Sequence, residues 1–493
     1  MRTQAIIKTP FGRLRGRLAE GVFAFKGIPY AAPPVGRLWL QAPRPPESWS
    51  GLRSAEDYGP TPPQNPGAQT AMMKDPLRAG DEYLNLNVWT PELGATNLPV
   101  LFWIHGGGFF CGSGATAWYS GQRLARLGIV VVTINYRLGI EGFLDIRGAP
   151  PHRGAMDWLA ALQWVNRNIH RFGGASNRVT VAGQSAGGTS ALFLSGMSEA
   201  EGRLAGVIAM SASTNFAPTA AVRAAAARRV GQAVGGDVSV ERLRSLPPGA
   251  LLKLQAAIDR GDGTLEGTVR RNGLHGPLFA PYADGEVLTF DPLHAVTVGP
   301  GRRLPLLIGA TADETAGAIL SAMPATATTD EIGPMFSVLG APDWVRAEYE
   351  SQSQDGDPKT TLARAMCDRV FRSTVPNVCR GRTGEAGTYV YDFRWRRDGS
   401  RLGAFHSSEI PFVFGTVDAP GAAEVTAGAS LELVYEMSAS WARFVTTGSP
   451  GWQRANSEHL HAQVFGSTER AIYEDQQRLW PYDRAGPARQ VGA

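Results

Sequence analysis

Short apolar runs alternate with segments of helical periodicity along much of this chain. Four continuous apolar runs predict strands that are buried on both faces, as in a mostly parallel sheet covered by helices; they lie at 100–104, 129–134, 179–182 and 304–308. Segments 155–169 and 186–197 repeat apolar side chains at helical spacing and predict helices between these strands. Strands that alternate with helices indicate an α/β fold.

Two longer regions, 215–300 and 320–400, are richer in helix-forming residues. We predict that they form helical insertions over the carboxyl edge of the sheet, where ligands bind in α/β folds. A Gly/Pro-rich segment at 59–68 predicts a loop. Since the chain contains no internal repeat and no low-complexity linker, we expect residues 1–493 to form a single domain.

The composition, with 43% hydrophobic and 19% charged residues, is that of an ordinary globular protein. The net charge is +4, but the basic residues are scattered, which argues against a nucleic-acid partner. No apolar run reaches the length of about 18 residues that a membrane span needs, and none of signal-peptide length follows Met1. We therefore expect a cytoplasmic protein without a membrane partner, either a monomer or a homodimer.

The three cysteines are Cys111, Cys367 and Cys379. An odd and sparse set does not indicate a disulfide framework, although a Cys367–Cys379 bond remains conceivable. Without a CxxC pair, a structural zinc site is not expected. The sequence therefore predicts neither a metal nor an organic cofactor.

The segment 183–187 reads G-Q-S-A-G and follows the predicted strand 179–182. In a strand–turn–helix context, this G-x-S-x-G pattern predicts a sharp turn that exposes the hydroxyl of Ser185 as a nucleophile. Gly183 and Gly187 supply the small neighbours that such a turn needs. The amino end of the following helix favours negative charge nearby. A plain Gly-rich turn with a capping serine is the structural alternative.

A second glycine-rich turn, H-G-G-G-F at 105–109, follows the predicted strand 100–104. Residues without side chains let backbone N–H groups approach a substrate oxygen closely. We predict that Gly107, Gly108 and Ala186 donate the N–H groups of an oxyanion hole. His105 precedes the nucleophile and is interpreted as structural. The neighbouring Phe109, together with Phe110 and Trp118, suggests an apolar wall of a substrate pocket.

A serine nucleophile needs a histidine base and an acid, which follow it in this order in the chain. The candidate histidines are His275, His294, His406, His459 and His461. The acid is expected after a strand, and the predicted strand 304–308 leads to the adjacent Asp313 and Glu314. Either carboxylate could orient the imidazole, and either could instead cap the next helix.

These ordered motifs resemble those of the type-B carboxylesterase family, which includes cholinesterases and bacterial para-nitrobenzyl esterases. The resemblance extends from about residue 5 to about residue 480. It rests on FKGIPYAAPPVG, YLNLNVWTP, NYRLGIEGFL, GQSAGG, the acid loop ATADETAG and HSSEIPFVFG, which lie at 25–36, 83–91, 135–144, 183–188, 310–317 and 406–415.

The resemblance implies an α/β-hydrolase fold, with a central, mostly parallel sheet flanked by helices and helical insertions over the active site. It also implies a serine carboxylesterase in which Ser185, Glu314 and His406 form the catalytic triad. The family's acid is usually the Glu of D-E-G, which is D-E-T here and maps to Glu314. The expected reaction is a two-step acyl transfer from a small-molecule ester to water.

Several positions depart from the family pattern. Gln184 replaces the usual Glu before the nucleophile, so we expect neutral, apolar or aryl esters rather than cationic choline esters. Tyr83 replaces a cysteine of the secreted animal members, which agrees with a reducing compartment. Trp39 replaces the usual Arg, so one salt bridge of the family is expected to be absent. Arg137 and Asp157 match another ion pair of the family and are expected to form it.

Three other functions remain open. The same machinery could cleave a carbamate or an aryl amide, since pocket shape selects the leaving group. It could instead transfer the acyl group to an acceptor other than water, as in a biosynthetic acyltransferase or cyclase. Some relatives have lost catalysis and serve in cell adhesion, but here all three triad positions are occupied.

Overall fold

A twelve-stranded sheet runs through the protein in a computed structural model. The structure describes residues 4–65, 73–247, 249–259, 264–351, 357–384, 386–400, 402–456 and 460–468. The strands are β1 Gln4–Thr9, β2 Gly12–Ala19, β3 Val22–Pro29, β4 Leu52–Ser54, β5 Asn85–Thr90, β6 Leu98–Ile104, β7 Val130–Ile134, β8 Gly174–Gln184, β9 Gly206–Met210, β10 Leu306–Thr311, β11 Thr388–Phe393 and β12 Ala462–Phe465.

The strand order is β1-β2-β3-β5-β7-β6-β8-β9-β10-β11-β12, and β4 pairs with β2. From β7 to β12 every neighbouring pair is parallel, whereas the pairs from β1 to β7 are antiparallel. Parallel strands β6, β8, β9, β10 and β11 all end at the same edge of the sheet. The loops that follow these strands therefore meet at one place.

Helices flank the sheet and extend beyond its carboxyl edge. They are α1 Gln122–Ala125, α2 Gly139–Phe143, α3 Arg153–Asn168, α4 Ala186–Ser195, α5 Ala220–Val234, α6 Val240–Arg244, α7 Ala250–Asp259, α8 Leu265–Val269, α9 Pro292–Thr297, α10 Ala316–Ala322, α11 Thr329–Val338, α12 Asp343–Ser351, α13 Pro358–Cys367, α14 Thr374–Gly381, α15 Ile410–Phe414, α16 Ala422–Thr426 and α17 Leu431–Thr447. Two π-helical turns, Arg270–His275 and Asp368–Arg372, continue α8 and α13.

The predicted elements are present, but β8 is longer than predicted at both ends, and the other ends shift by a few residues. The four predicted strands correspond to β6, β7, β8 and β10, and the two predicted helices to α3 and α4. Central strands such as β7 are buried along their whole length, which explains their continuous apolar sequence. The predicted helical regions hold α5–α9 and most of α10–α14, but the second also contains β11. Residues 59–65 lack regular structure as predicted, and 66–68 lie outside the described residues.

The ion pair expected between Arg137 and Asp157 is present and fully buried. Nη2 of Arg137 lies 2.7 Å from Oδ1 of Asp157, and Nε lies 2.8 Å from Oδ2. Trp39, which stands where the family has an arginine, takes part in hydrogen bonds to a carboxylate instead of a salt bridge. The indole of Trp39 and the hydroxyl of Tyr83 donate to the two carboxylate oxygens of Glu141, at 3.1 and 3.2 Å.

The three cysteines all lie in the described part of the chain, where they are buried and form no disulfide. The conceivable Cys367–Cys379 bond is therefore absent. Burial raises the pKa of both Cys367 and Cys379 to about 12, so they stay protonated at neutral pH. Among the described residues, no helix has the length and hydropathy needed to cross a bilayer, and no cluster of side chains has the makeup of a metal site.

Candidate active site

Ser185 sits at the sharp turn between β8 and α4. Its φ of +60° and ψ of −127° lie outside the regions that residues other than glycine prefer. The turn needs its two flanking glycines: a Cβ on Gly183 would lie 2.3 Å from the carbonyl carbon of Gly187, and one on Gly187 would lie 2.0 Å from the carbonyl oxygen of Ile104. Strain of this kind costs about 1–3 kcal/mol and is concentrated at functional sites.

The glycine loop after β6 lies against this turn. A Cβ on Gly106 would come within 3.2 Å of Cβ of Ser185, so the two turns are in contact. Gly107 and Gly108 have φ of +107° and +60°, and a Cβ on Gly107 would lie 2.2 Å from the carbonyl oxygen of Cys111. The carbonyl of Gly107 accepts hydrogen bonds from the loop, at 3.1 Å from the N–H of Phe110 and 3.0 Å from that of Cys111.

The N–H groups of this loop are available to a ligand. Within the described part of the chain, neither Gly107 nor Gly108 donates its N–H to a protein acceptor. Ala186 is the first residue of α4, where N–H groups have no partner inside the helix. Since Gly107, Gly108 and Ser185 border the same cavity, these groups can hold a developing negative charge there.

His406 lies in the loop between β11 and α15 and is bound to Glu314. Its Nδ1 makes a short hydrogen bond to Oε2 of Glu314, and its backbone N–H donates to the carbonyl of Glu314 at 2.8 Å. Because the carboxylate can only accept, Nδ1 carries the proton, and Nε2 of the neutral ring is the acceptor. The ring of Phe371 packs against the imidazole, with centroids 4.5 Å apart.

Glu314 follows β10 and is fixed by further donors. Its Oε1 accepts from the backbone N–H of Thr311 at 2.7 Å and from the hydroxyl of Ser211 at 2.8 Å. The same hydroxyl lies 3.4 Å from Oε1 of Glu409. Burial, reinforced by the charge of Glu314, raises the pKa of Glu409 to about 8. Glu409 is therefore mostly neutral at pH 7 and can donate its proton to Ser211.

Asp313, the alternative candidate for the acid, binds a backbone N–H group and not the imidazole. Its Oδ2 accepts the backbone N–H of Ala404 at 2.7 Å, and a Cβ on Gly403 would lie 2.0 Å from the same oxygen. Asp313 thus holds the loop that carries His406, whereas Glu314 contacts the imidazole itself.

The side chains of His294 and His461, two other candidate histidines, make no such contact with Glu314, and the side chain of His275 lies outside the described part of the structure. His294 pairs with Asp291, with Nδ1 and Oδ2 2.6 Å apart, and His461 is exposed. His459 lies outside the described residues. His105 is buried and stacks on Tyr136 with ring centroids 4.4 Å apart. Burial lowers the pKa of His105 to about 4, so this ring stays neutral.

Gln184 reaches the same histidine from the opposite side. Its amide nitrogen lies 3.2 Å from Nε2 of His406 and donates to it. The residue before Ser185 therefore contacts His406, which its position in the sequence did not reveal.

The cavity at this edge of the sheet has a volume of about 570 Å³. Ser185, Gln184 and His406 border it, together with Gly107 and Gly108. Most of its wall is apolar and comes from the helical insertions and the glycine loop; it includes Phe110, Phe216, Leu278, Phe279, Ile319 and Phe371.

The expectation that Phe109 lines the substrate pocket is wrong. At φ of +65° the backbone turns this side chain into the core, where its ring lies 5.2 Å from that of Phe143. Trp118 is also buried, and its indole donates to the carbonyl of Pro420 at 3.0 Å. Of the three aromatic residues near the glycine loop, Phe110 alone borders the cavity.

Two further residues of the site, Ser211 and Phe371, were not predicted from the sequence. Ser211 directly follows β9, so its place after a buried strand was a usable signal. Phe371 belongs to the π-helical turn Asp368–Arg372, and no local pattern marks it as a neighbour of His406.

Comparison with known proteins extends the similarity beyond the site. The model of the carboxylesterase family matches residues 3–475. A para-nitrobenzyl esterase of Bacillus subtilis is 31% identical over 476 residues, which cover 94% of this chain and 94% of the esterase. A phenmedipham hydrolase of Pseudarthrobacter oxydans is 32% identical and covers 91% of each chain.

Solved structures show the same architecture. A crystal structure of a Geobacillus stearothermophilus carboxylesterase has a TM-score of 0.83 and 31% identity, and the alignment covers 96% of this chain and 99% of that one. A para-nitrobenzyl esterase structure has a TM-score of 0.81 and 29% identity, over 97% and 100% of the two chains. The α/β-hydrolase fold expected from the sequence is thereby confirmed. The chain belongs to the carboxylesterase family and is a carboxylic ester hydrolase.

Proposed function

We propose that Ser185, His406 and Glu314 are the catalytic triad through which this enzyme hydrolyses esters. The observation that carries the proposal is the orientation of His406. Its Nδ1 is bound to the buried carboxylate of Glu314, which leaves Nε2 as the acceptor, and His406 borders the same cavity as Ser185. Glu314 would hold the imidazole in the required tautomer and stabilise the imidazolium during the reaction.

The reaction would proceed through an acyl-enzyme. His406 removes the hydroxyl proton of Ser185 as the oxygen attacks the ester carbonyl, and then gives that proton to the leaving alcohol. Water enters next and loses a proton to His406 as its oxygen attacks the acyl carbonyl. His406 then returns this proton to the oxygen of Ser185 as the bond to the acyl group breaks and the acid leaves. For the first step, Nε2 must exchange its contact with Gln184 for the serine hydroxyl when substrate binds.

The oxyanion of each tetrahedral intermediate would accept N–H groups from Gly107, Gly108 and Ala186. The support for this assignment is that Gly107 and Gly108 border the same cavity as Ser185 and that Ala186 directly follows it. Neither Gly107 nor Gly108 donates its N–H to an acceptor among the described residues. Backbone donors on a fixed loop need no rearrangement as charge develops, and the loss of one costs about 10²–10³ in rate.

Gln184 bears on substrate charge. An amide at this position places no negative charge beside the reacting carbonyl, so we propose substrates without a cationic group. In Gln184→Glu, the ratio of kcat/KM for a cationic ester to that for a matched neutral ester should rise. An unchanged ratio would contradict this role.

The apolar wall of the cavity favours substrates whose acyl or aryl group is also apolar. Phe110, Phe216 and Phe371 offer aromatic surface to a planar substituent. We propose para-nitrophenyl and related aryl esters as substrates that this cavity accepts.

The sheet, the site and the cysteines also support proposals on the domain organisation, oligomeric state and location of the enzyme. One continuous sheet joins β1 to β12, which supports a single α/β-hydrolase domain. The proposed triad comes from one chain, so a monomer or a homodimer suffices. Buried thiols without a disulfide suit the reducing cytoplasm, where we propose that the enzyme acts.

A fluorophosphonate probe tests the nucleophile, since it labels only an activated serine. Peptide mapping should find the label on Ser185, and Ser185→Ala should abolish both labelling and para-nitrophenyl ester hydrolysis while the folded protein remains. Turnover retained by pure Ser185→Ala protein would overturn the proposal. A matched ester, carbamate and anilide panel then identifies the preferred leaving group.

A further inference from the structure

The glycine loop that would form the oxyanion hole has little rigidity of its own. Gly107, Gly108 and Gly112 have φ of +107°, +60° and +111°, which glycine adopts readily and other residues adopt rarely. Glycine is also the residue whose backbone is least restrained when nothing else holds it. Because the donors of an oxyanion hole must be in place before charge develops, this loop depends on contacts from outside it.

One such contact comes from Gln64, a buried residue that precedes Gly112 by 48 positions in the chain. Its Oε1 accepts the backbone N–H of Gly112 at 2.8 Å, and its Nε2 donates to the carbonyl of the same residue at 3.0 Å. Nε2 also donates to the carbonyl of Pro62 at 3.2 Å. Since both carbonyls can only accept and the N–H can only donate, these bonds fix the orientation of the amide.

Gly112 lies against the first residues of the glycine loop. A Cβ on Gly112 would lie 2.3 Å from the carbonyl oxygen of Gly106 and 2.3 Å from Nδ1 of His105. The loop therefore folds back on itself, with its last glycine beside its first. Because Gly106 directly precedes Gly107 and Gly108, a hold on Gly112 restrains the segment that carries their N–H groups.

The segment that presents Gln64 is itself fixed. It reads G-P-T-P-P-Q-N at 59–65, and its three prolines restrict the backbone torsion angles before Gln64. The carbonyl of Pro60 accepts from the side-chain amides of Asn85 and Asn135, at 2.8 and 3.1 Å. Gln64 thus connects the glycine loop to a segment that is anchored to the sheet and the loop after β7.

We propose that Gln64 is a positioning residue for ester hydrolysis, one that holds the N–H groups of Gly107 and Gly108 in place for the oxyanion. The inference rests on the proposed function, in that these glycines belong to the oxyanion hole, and it adds a residue on which their placement depends. Gln64 is not among the described residues that border the cavity, so it acts through Gly112 and not by contact with substrate. A displacement of about 1 Å in a reacting geometry can cost about 10²-fold in rate, so loss of this hold should be measurable.

The test uses Gln64→Met, which keeps the length of the side chain and removes both hydrogen bonds to Gly112. Its kcat/KM for a para-nitrophenyl ester should fall about 10–100-fold. Two inhibitors separate this effect from general damage to the cavity. An aryl trifluoromethyl ketone accepts the oxygen of Ser185, whose proton passes to His406, and places an oxyanion in the hole. The matching trifluoromethyl alcohol fills the same cavity but forms no oxyanion.

The measured quantity is the inhibition constant of the alcohol divided by that of the ketone, which does not depend on the fraction of folded enzyme. In Gln64→Met this ratio should fall about as much as kcat/KM, while the constant of the alcohol stays the same. Asn65→Ala is the matched control. Asn65 donates to the carbonyl of Leu252 in α7 at 3.0 Å, so the variant loosens the same segment without removing a bond to the glycine loop. It should leave the ratio unchanged.

Gln64→Glu is a second variant with a side chain of the same length. Its carboxylate can accept the N–H of Gly112 but cannot donate to the carbonyl. Burial beside two carbonyl oxygens favours the protonated form, which regains the donor. Relative to wild type at the same pH, the ratio for Gln64→Glu should therefore recover as the pH is lowered from about 8 to about 6.

A ratio that stays at the wild-type value in Gln64→Met, or that falls equally in Asn65→Ala, would overturn the inference. If Gln64→Met does not fold, the pH series on Gln64→Glu decides, and a reduced ratio that does not recover at low pH would count against the role of Gln64. Gly107→Ala changes a proposed donor directly. A wild-type ratio in that variant would instead overturn the proposed oxyanion hole, so the two failures are distinct.

Discussion

The buried carboxyl of Glu409 makes the stability of the fold depend on pH. Its Oε1 lies 3.4 Å from the hydroxyl of Ser211, and within the described residues its Oε2 has no hydrogen-bond partner. Burial and the nearby charge of Glu314 raise the pKa of Glu409 to about 8, whereas an unfolded glutamate titrates near pH 4.3. Between about pH 4.3 and about pH 8, the folded state holds a proton that the unfolded state has released.

The sign of the effect follows from this difference. A folded state that binds more protons loses stability as pH rises, so the neutral form of Glu409 stabilises the fold at low pH and the advantage is lost through about pH 8. At about 1.4 kcal/mol per pH unit, the loss between pH 5 and pH 9 is on the order of 4 kcal/mol. For a chain of 493 residues, the entropy of unfolding converts 1 kcal/mol into about 1 °C of Tm.

Glu409→Gln tests this reasoning with a side chain of the same shape. The amide is neutral at every pH and can still donate to Ser211. We expect wild type and variant to melt together near pH 5, and the variant to melt about 4 °C higher near pH 9. Thermal unfolding followed by tryptophan fluorescence measures both, and Glu432→Gln, at an exposed glutamate, is the control. A Tm difference that stays constant from pH 5 to pH 9 would refute the argument.

Other predictions concern the site and the core. Glu314→Gln should lower kcat by up to about 10⁴, because an amide cannot hold the required imidazole tautomer. Asp313→Asn should lower kcat only a few-fold. Steady-state kinetics on one aryl ester compares the two variants. Gly107→Ala should lower kcat by about 10²–10³ through the clash with the carbonyl of Cys111, and wild-type rates in this variant would contradict the oxyanion assignment. Asp157→Asn should destabilise the fold by about 3–5 kcal/mol, since it leaves a buried Arg137 without its charge partner; an unchanged denaturation midpoint would show the pair to be dispensable.

The sequence by itself predicted the features that depend on neighbouring residues. The strands β6, β7, β8 and β10 have continuous apolar sequences because both of their faces are covered, and that requirement acts on each residue locally. The turn at Ser185 and the loop at 106–108 were recognisable for a similar reason. Their backbones come so close to other atoms that glycine is the residue that fits, and glycine is visible in the sequence.

The tertiary structure decided the features that depend on contacts between distant segments. Asp313 and Glu314 are adjacent and chemically alike, so only the path of the loop that carries His406 shows which carboxylate meets the imidazole. Phe109 and Phe110 are likewise adjacent, and the backbone conformation at Phe109 directs one ring into the core and leaves the other at the cavity.

The wall of the cavity shows most clearly how a feature can depend on distant segments. It combines the glycine loop, two π-helical turns and the segment before α10, which are spread along the chain from Gly107 to Phe371. A local pattern reports whether a side chain is apolar and on which face of its element it lies. It cannot report which other element covers that face, because packing depends on the three-dimensional path of the whole chain. The chemistry near Ser185 could therefore be predicted from sequence, whereas the contacts of Gln184 with His406 and of Gln64 with Gly112 required the structure.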